Sequence, residues 1–317
     1  MSSRESLPAA SAAQGAETSP LIDIDTLRAR LGDPTLRIID ARFDLADAEA
    51  GRSAFAASRL PGAVYAHLDD DLSGHGKPAI EGRHPLPDAA RFAATLAHWR
   101  ITPSTPVVIY DAGSGAMAAA RAWWLLRWMG HGDVRVLDGG LAAWVAADGA
   151  MERDARTADD RAGGRTHRRD GTGESAAPAS CDPRADGWRP GSAPTFDADQ
   201  VAQRSAAFAL VDARARERFR GEVEPLDRKA GHIPGARNRP FTENLEAGRF
   251  KSAERLRDEW RALLPDAATP LLSCGSGVTA CHNALALVRA GWPMPVLFPP
   301  SWSGWASDPA RPVATGD

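Results

Sequence analysis

A chain of 317 residues, 43% hydrophobic and 25% charged, is long enough for about two soluble domains with full cores. Its net charge of -3 supplies no cationic field for nucleic acid or anionic lipid, and no apolar run reaches the roughly eighteen residues needed to cross a bilayer. Three cysteines, Cys181, Cys274 and Cys281, are too few and too odd for a disulfide framework, which points to a reducing, cytoplasmic setting.

Residues 1–18 carry no continuous apolar segment and predict a disordered tail rather than a leader. From 19 to 151, short apolar runs alternate with helical stretches. Ile38-Ile39 runs into Asp40-Ala41-Arg42, and a turn follows at Leu60-Pro61-Gly62-Ala63. Val107-Val108-Ile109-Tyr110 ends at Asp111 and a Gly/Ser loop, before an Ala-rich helical stretch from Met117 to Met129. Val134 to Leu137 then precedes Asp138-Gly139-Gly140. Residues 152–193, rich in Arg, Asp, Gly, Ser and Pro, read as a linker. Within it Arg165, His167, Arg168 and Arg169 read as a solvated charge run, and Cys181 as a free, inert thiol.

The same order of signals returns from 194 to 317. Leu210-Val211 runs into Asp212-Ala213-Arg214, Ile233-Pro234-Gly235-Ala236 repeats the turn, and Leu271-Leu272-Ser273 ends at Cys274 before a helical stretch from Thr279 to Ala290. Val296-Leu297-Phe298 closes the copy before Pro299-Pro300. The chain therefore reads as two copies of one α/β domain, each a parallel sheet with helices on both faces. Ligands in such folds bind beyond the carboxyl ends of strands, where the Asp111 and Cys274 loops both fall.

Cys274 stands at a strand end, followed by Gly275, Ser276, Gly277, Val278 and Thr279 and then a helix start. Glycines permit a tight cradle of main-chain N–H groups, and the positive end of a helix dipole behind it stabilises a thiolate or a persulfide anion. Cys281 reads as structural. His282 beside it makes no metal site at this cysteine count. Phosphate-ester hydrolysis through a C-x5-R loop needs an arginine where this chain has Ala280, so that chemistry is disfavoured.

Five segments, GRHPLP at 82–87, DARARERFRG at 212–221, GHIPGA at 231–236, CGSGVTAC at 274–281 and SWSGW at 301–305, resemble in order and spacing the tandem-domain rhodaneses. That family comprises the thiosulfate and 3-mercaptopyruvate sulfurtransferases. The resemblance covers about residues 20–150 and 194–315. It implies two rhodanese-like domains, a silent first one with Asp111 in the nucleophile's place, and an active second one in which Cys274 carries sulfur as a persulfide. The loop CGSGVT resembles the mercaptopyruvate branch, whereas thiosulfate enzymes commonly show cationic loops such as CRKGVT.

By the same resemblance Arg218 matches a substrate-binding arginine, with a surface arginine as the alternative, and Arg228 is the nearest match to a second one in a loop about two residues short. Asp69, His84 and Ser276 match a proton-relaying set; Asp69 as a loop cap and His84 as a loop-packing residue are the alternatives. The amides of Gly275, Gly277, Val278 and Thr279 are expected around the sulfur. No metal or organic cofactor is implied. The acceptor is a thiol or cyanide, with thioredoxin among the candidates. Thiosulfate as donor and a non-catalytic redox or partner-binding module are the rival readings. Pro300 and Gly304 depart from the closing motif and bear on the rim of the cleft.

Overall fold

The computed structural model describes residues 19–116, 118–153 and 182–317. The N-terminal tail, Met117, the charge run at Arg165, His167, Arg168 and Arg169, and Cys181 lie outside the described residues.

Each half carries one parallel sheet. In the first, β1 (Leu21–Ile22), β2 (Arg37–Asp40), β3 (Val64–Tyr65), β4 (Val107–Tyr110) and β5 (Val134–Leu137) lie in the order β1-β5-β4-β2-β3. The second half contributes β6 (Phe208–Asp212), β7 (Arg237–Asn238), an antiparallel hairpin of β8 (Leu245–Glu246) and β9 (Arg249–Phe250), then β10 (Thr269–Ser273) and β11 (Val296–Leu297). Its main sheet runs β11-β10-β6-β7. The central strands are unbroken apolar runs because both of their faces are covered. β2 pairs β4 from Arg37↔Val107, and β6 pairs β10 from Phe208↔Thr269, so the two chemically loaded loops leave equivalent strand ends.

Three apolar clusters hold the layers together. One is shared by both halves and joins Ile39, Trp123 and Trp124 to Leu285 and Trp260. The other two lie on the far faces, around Val108, Tyr110 and Trp144 in the first half and around Leu210, Trp302 and Trp305 in the second. The shared layer is built on helices Ala118–Trp128 and Ala280–Arg289, which pack on each other. Their alanines explain the close approach, since a helix buried on all sides needs small residues where another backbone passes.

Part of the segment expected as linker is packed. Trp188 is 4% exposed and lies 6.0 Å from the His131 ring, while Arg189 and Ser192 donate main-chain N–H groups to the carbonyls of Met129 and Trp128. One indole supplies enough apolar area to fold 182–193 onto the first half. Pro300 and Gly304 sit at an inter-domain contact: a Cβ on Gly304 would stand 2.5 Å from the carbonyl oxygen of Ile80.

Candidate active site

β10 ends at Ser273, and the chain turns back into helix Ala280–Arg289 through Cys274 to Thr279. Gly277 makes the turn at φ +76°, with no room for a side chain: a Cβ there would lie 2.3 Å from the Pro299 carbonyl oxygen. Its N–H donates to Cys274 Sγ at 3.2 Å. Among the described residues this is the one amide of the expected Gly275–Thr279 set that bonds the thiol. Helix Ser301–Ser307, which carries SWSGW, clamps the loop from below. Cys274 N–H donates to Ser301 Oγ at 3.1 Å, and the carbonyls of Cys274 and Gly275 accept from the amides of Trp302 (3.0 Å) and Ser303 (2.8 Å).

Cys274 is only 1% exposed, yet it faces a cavity of about 210 Å³ that both halves line. Gly275, Ser276, Val278 and Thr279 form its floor. Arg83 and Arg218 form a wall, one from each half, and their guanidiniums lie 3.1 and 3.6 Å from where a Gly275 Cβ would stand. The bare glycine is what lets two cations approach the loop. Arg218 also donates to Glu224 at 2.7 Å, Arg83 to Asp227, and buried Arg214 bridges Asp212 at 2.7 Å and Glu224 at 3.3 Å. Arg228, the sequence candidate for the second arginine, is exposed and is not among the cavity-lining residues. Arg228 faces solvent, whereas Arg83 of the first half lines the cavity beside Arg218.

Ser276 Oγ lies 2.8 Å from His84 Nδ1, and His84 Nε2 lies 3.3 Å from Asp69 Oδ1. A carboxylate only accepts, so Nε2 carries the imidazole proton and Nδ1 accepts the Ser276 hydroxyl. Burial, then the charges of Arg121 and Arg83, lowers the His84 pKa to about 4, so the ring is neutral near pH 7. Asp69 keeps 43% of its side chain in solvent, at the outer end of this chain of contacts.

Arg121, on the central helix of the first half, is fully buried and has no carboxylate partner among the described residues. Its guanidinium donates to four carbonyls: Gly277 (3.1 Å), His84 (3.1 Å), Pro85 (3.3 Å) and Leu72 (3.4 Å). It ties the Cys274 loop to the His84 segment across the domain boundary. Cys281 donates to the same Gly277 oxygen at 3.3 Å, and burial pushes its thiol up to about 12. It stays a thiol and packs. Both His282 nitrogens are engaged, Nε2 with the Ser114 carbonyl at 3.1 Å and Nδ1 with Asn244 at 3.1 Å, which leaves no lone pair for a metal.

In the first half, Asp111 fills its own loop: Oδ1 accepts the amides of Gly113 at 3.1 Å and Gly115 at 3.0 Å. The β8–β9 hairpin closes over it, with Ser114 donating to the Gly248 carbonyl and Phe250 N–H donating to Asp138. Sequence reasoning overlooked Arg83 and Arg121. Arg83 had a signal in its place beside His84 in GRHPLP, and Arg121 in being one charge inside the uniformly apolar AAARAWWLL.

The rhodanese-like domain family matches residues 23–147 and 197–308. A Pseudomonas aeruginosa protein described as a probable 3-mercaptopyruvate sulfurtransferase is 45% identical over 305 residues, 95% of this chain and 99% of that protein. SseB of Mycobacterium tuberculosis, described as a candidate thiosulfate sulfurtransferase, is 40% identical over 292 residues, 90% of this chain and 92% of the relative. The crystal structure of SseA from Escherichia coli, described as a 3-mercaptopyruvate sulfotransferase of rhodanese fold, superposes with a TM-score of 0.69 at 29% identity, covering 90% of this chain and 99% of that one.

Proposed function

The chain belongs to the rhodanese-like domain family, and from that premise we propose that it is a sulfurtransferase that takes sulfur from 3-mercaptopyruvate onto Cys274. The observation that carries this reading is the meeting of Cys274 Sγ, the Gly277 N–H, the Ser276–His84 pair and two guanidiniums at one cavity.

In the first half-reaction the Cys274 thiolate attacks the donor sulfur, an S–S bond forms and the carbon–sulfur bond breaks. The electron pair of that bond passes to the donor carbon, giving the enolate of pyruvate. The proton of the donor thiol passes through Ser276 to His84 Nδ1, and Asp69 stabilises the transient imidazolium. The same path returns the proton to the enolate carbon. Pyruvate leaves and Cys274 holds a persulfide anion, which the room above the Gly277 amide accommodates. Arg218 and Arg83 orient the donor carboxylate, the geometry for which a guanidinium fork is suited. A thiol or cyanide acceptor then removes the outer sulfur and regenerates the thiolate; thioredoxin is a protein thiol of the required kind. Among the described residues no helix is long and apolar enough to cross a membrane. The sparse cysteines support a cytoplasmic setting.

Thiosulfate is the second reading, favoured by the likeness to the mycobacterial relative. Steady-state kcat/KM for the two donors on one preparation, with intact-protein mass spectrometry and peptide mapping after each, tests both. The expected result is one sulfur atom gained, on Cys274, with 3-mercaptopyruvate the better donor. A tenfold advantage for thiosulfate overturns the donor assignment, and sulfur gained on another cysteine overturns the mechanism.

A further inference from the structure

The cavity wall presents three guanidiniums, Arg83, Arg214 and Arg218, but the same segment of structure sets three carboxylates against them, Asp212, Glu224 and Asp227. Within this cluster formal charge cancels, and the cation left over is the buried Arg121 beneath the Cys274 loop. Two of the carboxylates have structural duties. Asp212 holds Arg214 through both oxygens and accepts its amide, while Glu224 accepts the amides of Leu226 at 3.0 Å and Asp227 at 3.2 Å besides its two arginines.

Asp227 differs. Its side chain is 7% exposed, and among the described residues its oxygens accept no main-chain N–H. Oδ1 accepts from Arg83, while Oδ2 is buried without a hydrogen-bond partner and lies 3.7 Å from Arg218 Nη2. It contacts the two donor-binding cations and holds nothing else. Burial of a carboxylate with one oxygen unsatisfied is unfavourable, and loop architecture gives no reason for it here.

We propose that Asp227 sets donor selectivity by charge, admitting monoanionic carboxylate donors such as 3-mercaptopyruvate and disfavouring dianions such as thiosulfate. The inference rests on the sulfurtransferase reading above. By Coulomb's law a fixed carboxylate repels a dianion twice as strongly as a monoanion at the same distance, and the partly desolvated site screens this weakly. The two arginines attract the dianion more strongly by the same law, and Asp227 offsets part of that preference, so removing its charge moves the ratio toward the dianion.

Asp227→Asn keeps the shape and removes the charge. The ratio of kcat/KM for thiosulfate to that for 3-mercaptopyruvate is expected to rise about tenfold or more, carried by the donor KM, with the acceptor KM unchanged. A ratio that stays within about twofold of the parent, or falls, overturns the inference. Should Asp227→Asn fail to fold, Asp227→Ser is judged by the same ratio. If the parent protein passes sulfur from neither donor to Cys274, the sulfurtransferase reading itself fails. If it uses both and the ratio is fixed, selectivity by Asp227 alone fails.

Discussion

The loop after β4 and the loop after β10 are the same piece of architecture with opposite chemical fates. In each, the first side chain beyond the strand accepts a main-chain N–H from the glycine of the turn, Gly115 to Asp111 at 3.0 Å and Gly277 to Cys274 at 3.2 Å. Each is also touched by a buried histidine from the opposite half, Ser114 by His282 and Ser276 by His84. They differ in the anion and the roof. Asp111 draws two amides onto one oxygen and lies under the β8–β9 hairpin, whereas Cys274 draws one amide and opens to a cavity. On the proposed function, a cradle for negative charge is not sufficient for catalysis. It becomes an active site when its anion can be extended by an atom and the roof leaves room.

Making the two loops alike is the most severe way to break this contrast. Cys274→Asp copies the first-half loop's residue into the second half, and turnover is expected to fall by at least about 1000-fold with no sulfur taken up from any donor. Sulfur gained elsewhere in the chain, read by peptide mapping, would count against Cys274.

A finer contrast lies in the two histidines. His84→Gln removes a proton acceptor and is expected to lower kcat about 100-fold, whereas His282→Gln is expected to cost about 1–3 kcal/mol of stability in a denaturant titration and leave kcat near the parent value. Equal losses of kcat in both variants would mean that the pair serves only to hold the halves together.

The contrast between the histidines and their surroundings is sharpened by pH, where the effect on turnover is the smallest of the three. Burial, joined at His84 by the charges of Arg121 and Arg83, lowers both imidazoles to about 4 from an ordinary 6.5. Between those values the unfolded chain binds protons that the folded chain refuses. Stability is therefore complete above about pH 6.5 and falls as the pH drops toward 4, by up to about 1.4 kcal/mol per unit for each histidine. Thermal melts across that range measure it, His282→Gln should flatten the slope, and melting temperatures level between pH 7 and 5 would refute it.

Much of the architecture was legible because it is written twice. Two Asp-Ala-Arg strand ends, two Pro-Gly turns and two Gly/Ser loops before alanine-rich helices are enough to read duplicated parallel sheets. The cysteine loop was legible for the same reason, since its chemistry is local. What could not be read is what arises where the halves meet. His84 and Ser276 are far apart in the chain, and no periodicity says that their atoms stand 2.8 Å apart. That Arg83 lines the cavity and Arg228 does not depends on how the domains dock, and the docking depends on large side chains such as Trp123 and Trp260 rather than on motifs. Composition likewise misread 182–193, because a single Trp188 outweighs its polar neighbours.

Arg121 makes the first half part of the foundation of the second half's loop. Its guanidinium, sealed from water, is solvated by carbonyls of both copies, including that of Gly277. Cut away from its neighbour, the half that holds the nucleophile would bare an alanine-rich greasy face and lose the strut beneath its reactive turn. On the proposed function, the copy with Asp111 in the nucleophile's place is the platform on which the working one is built.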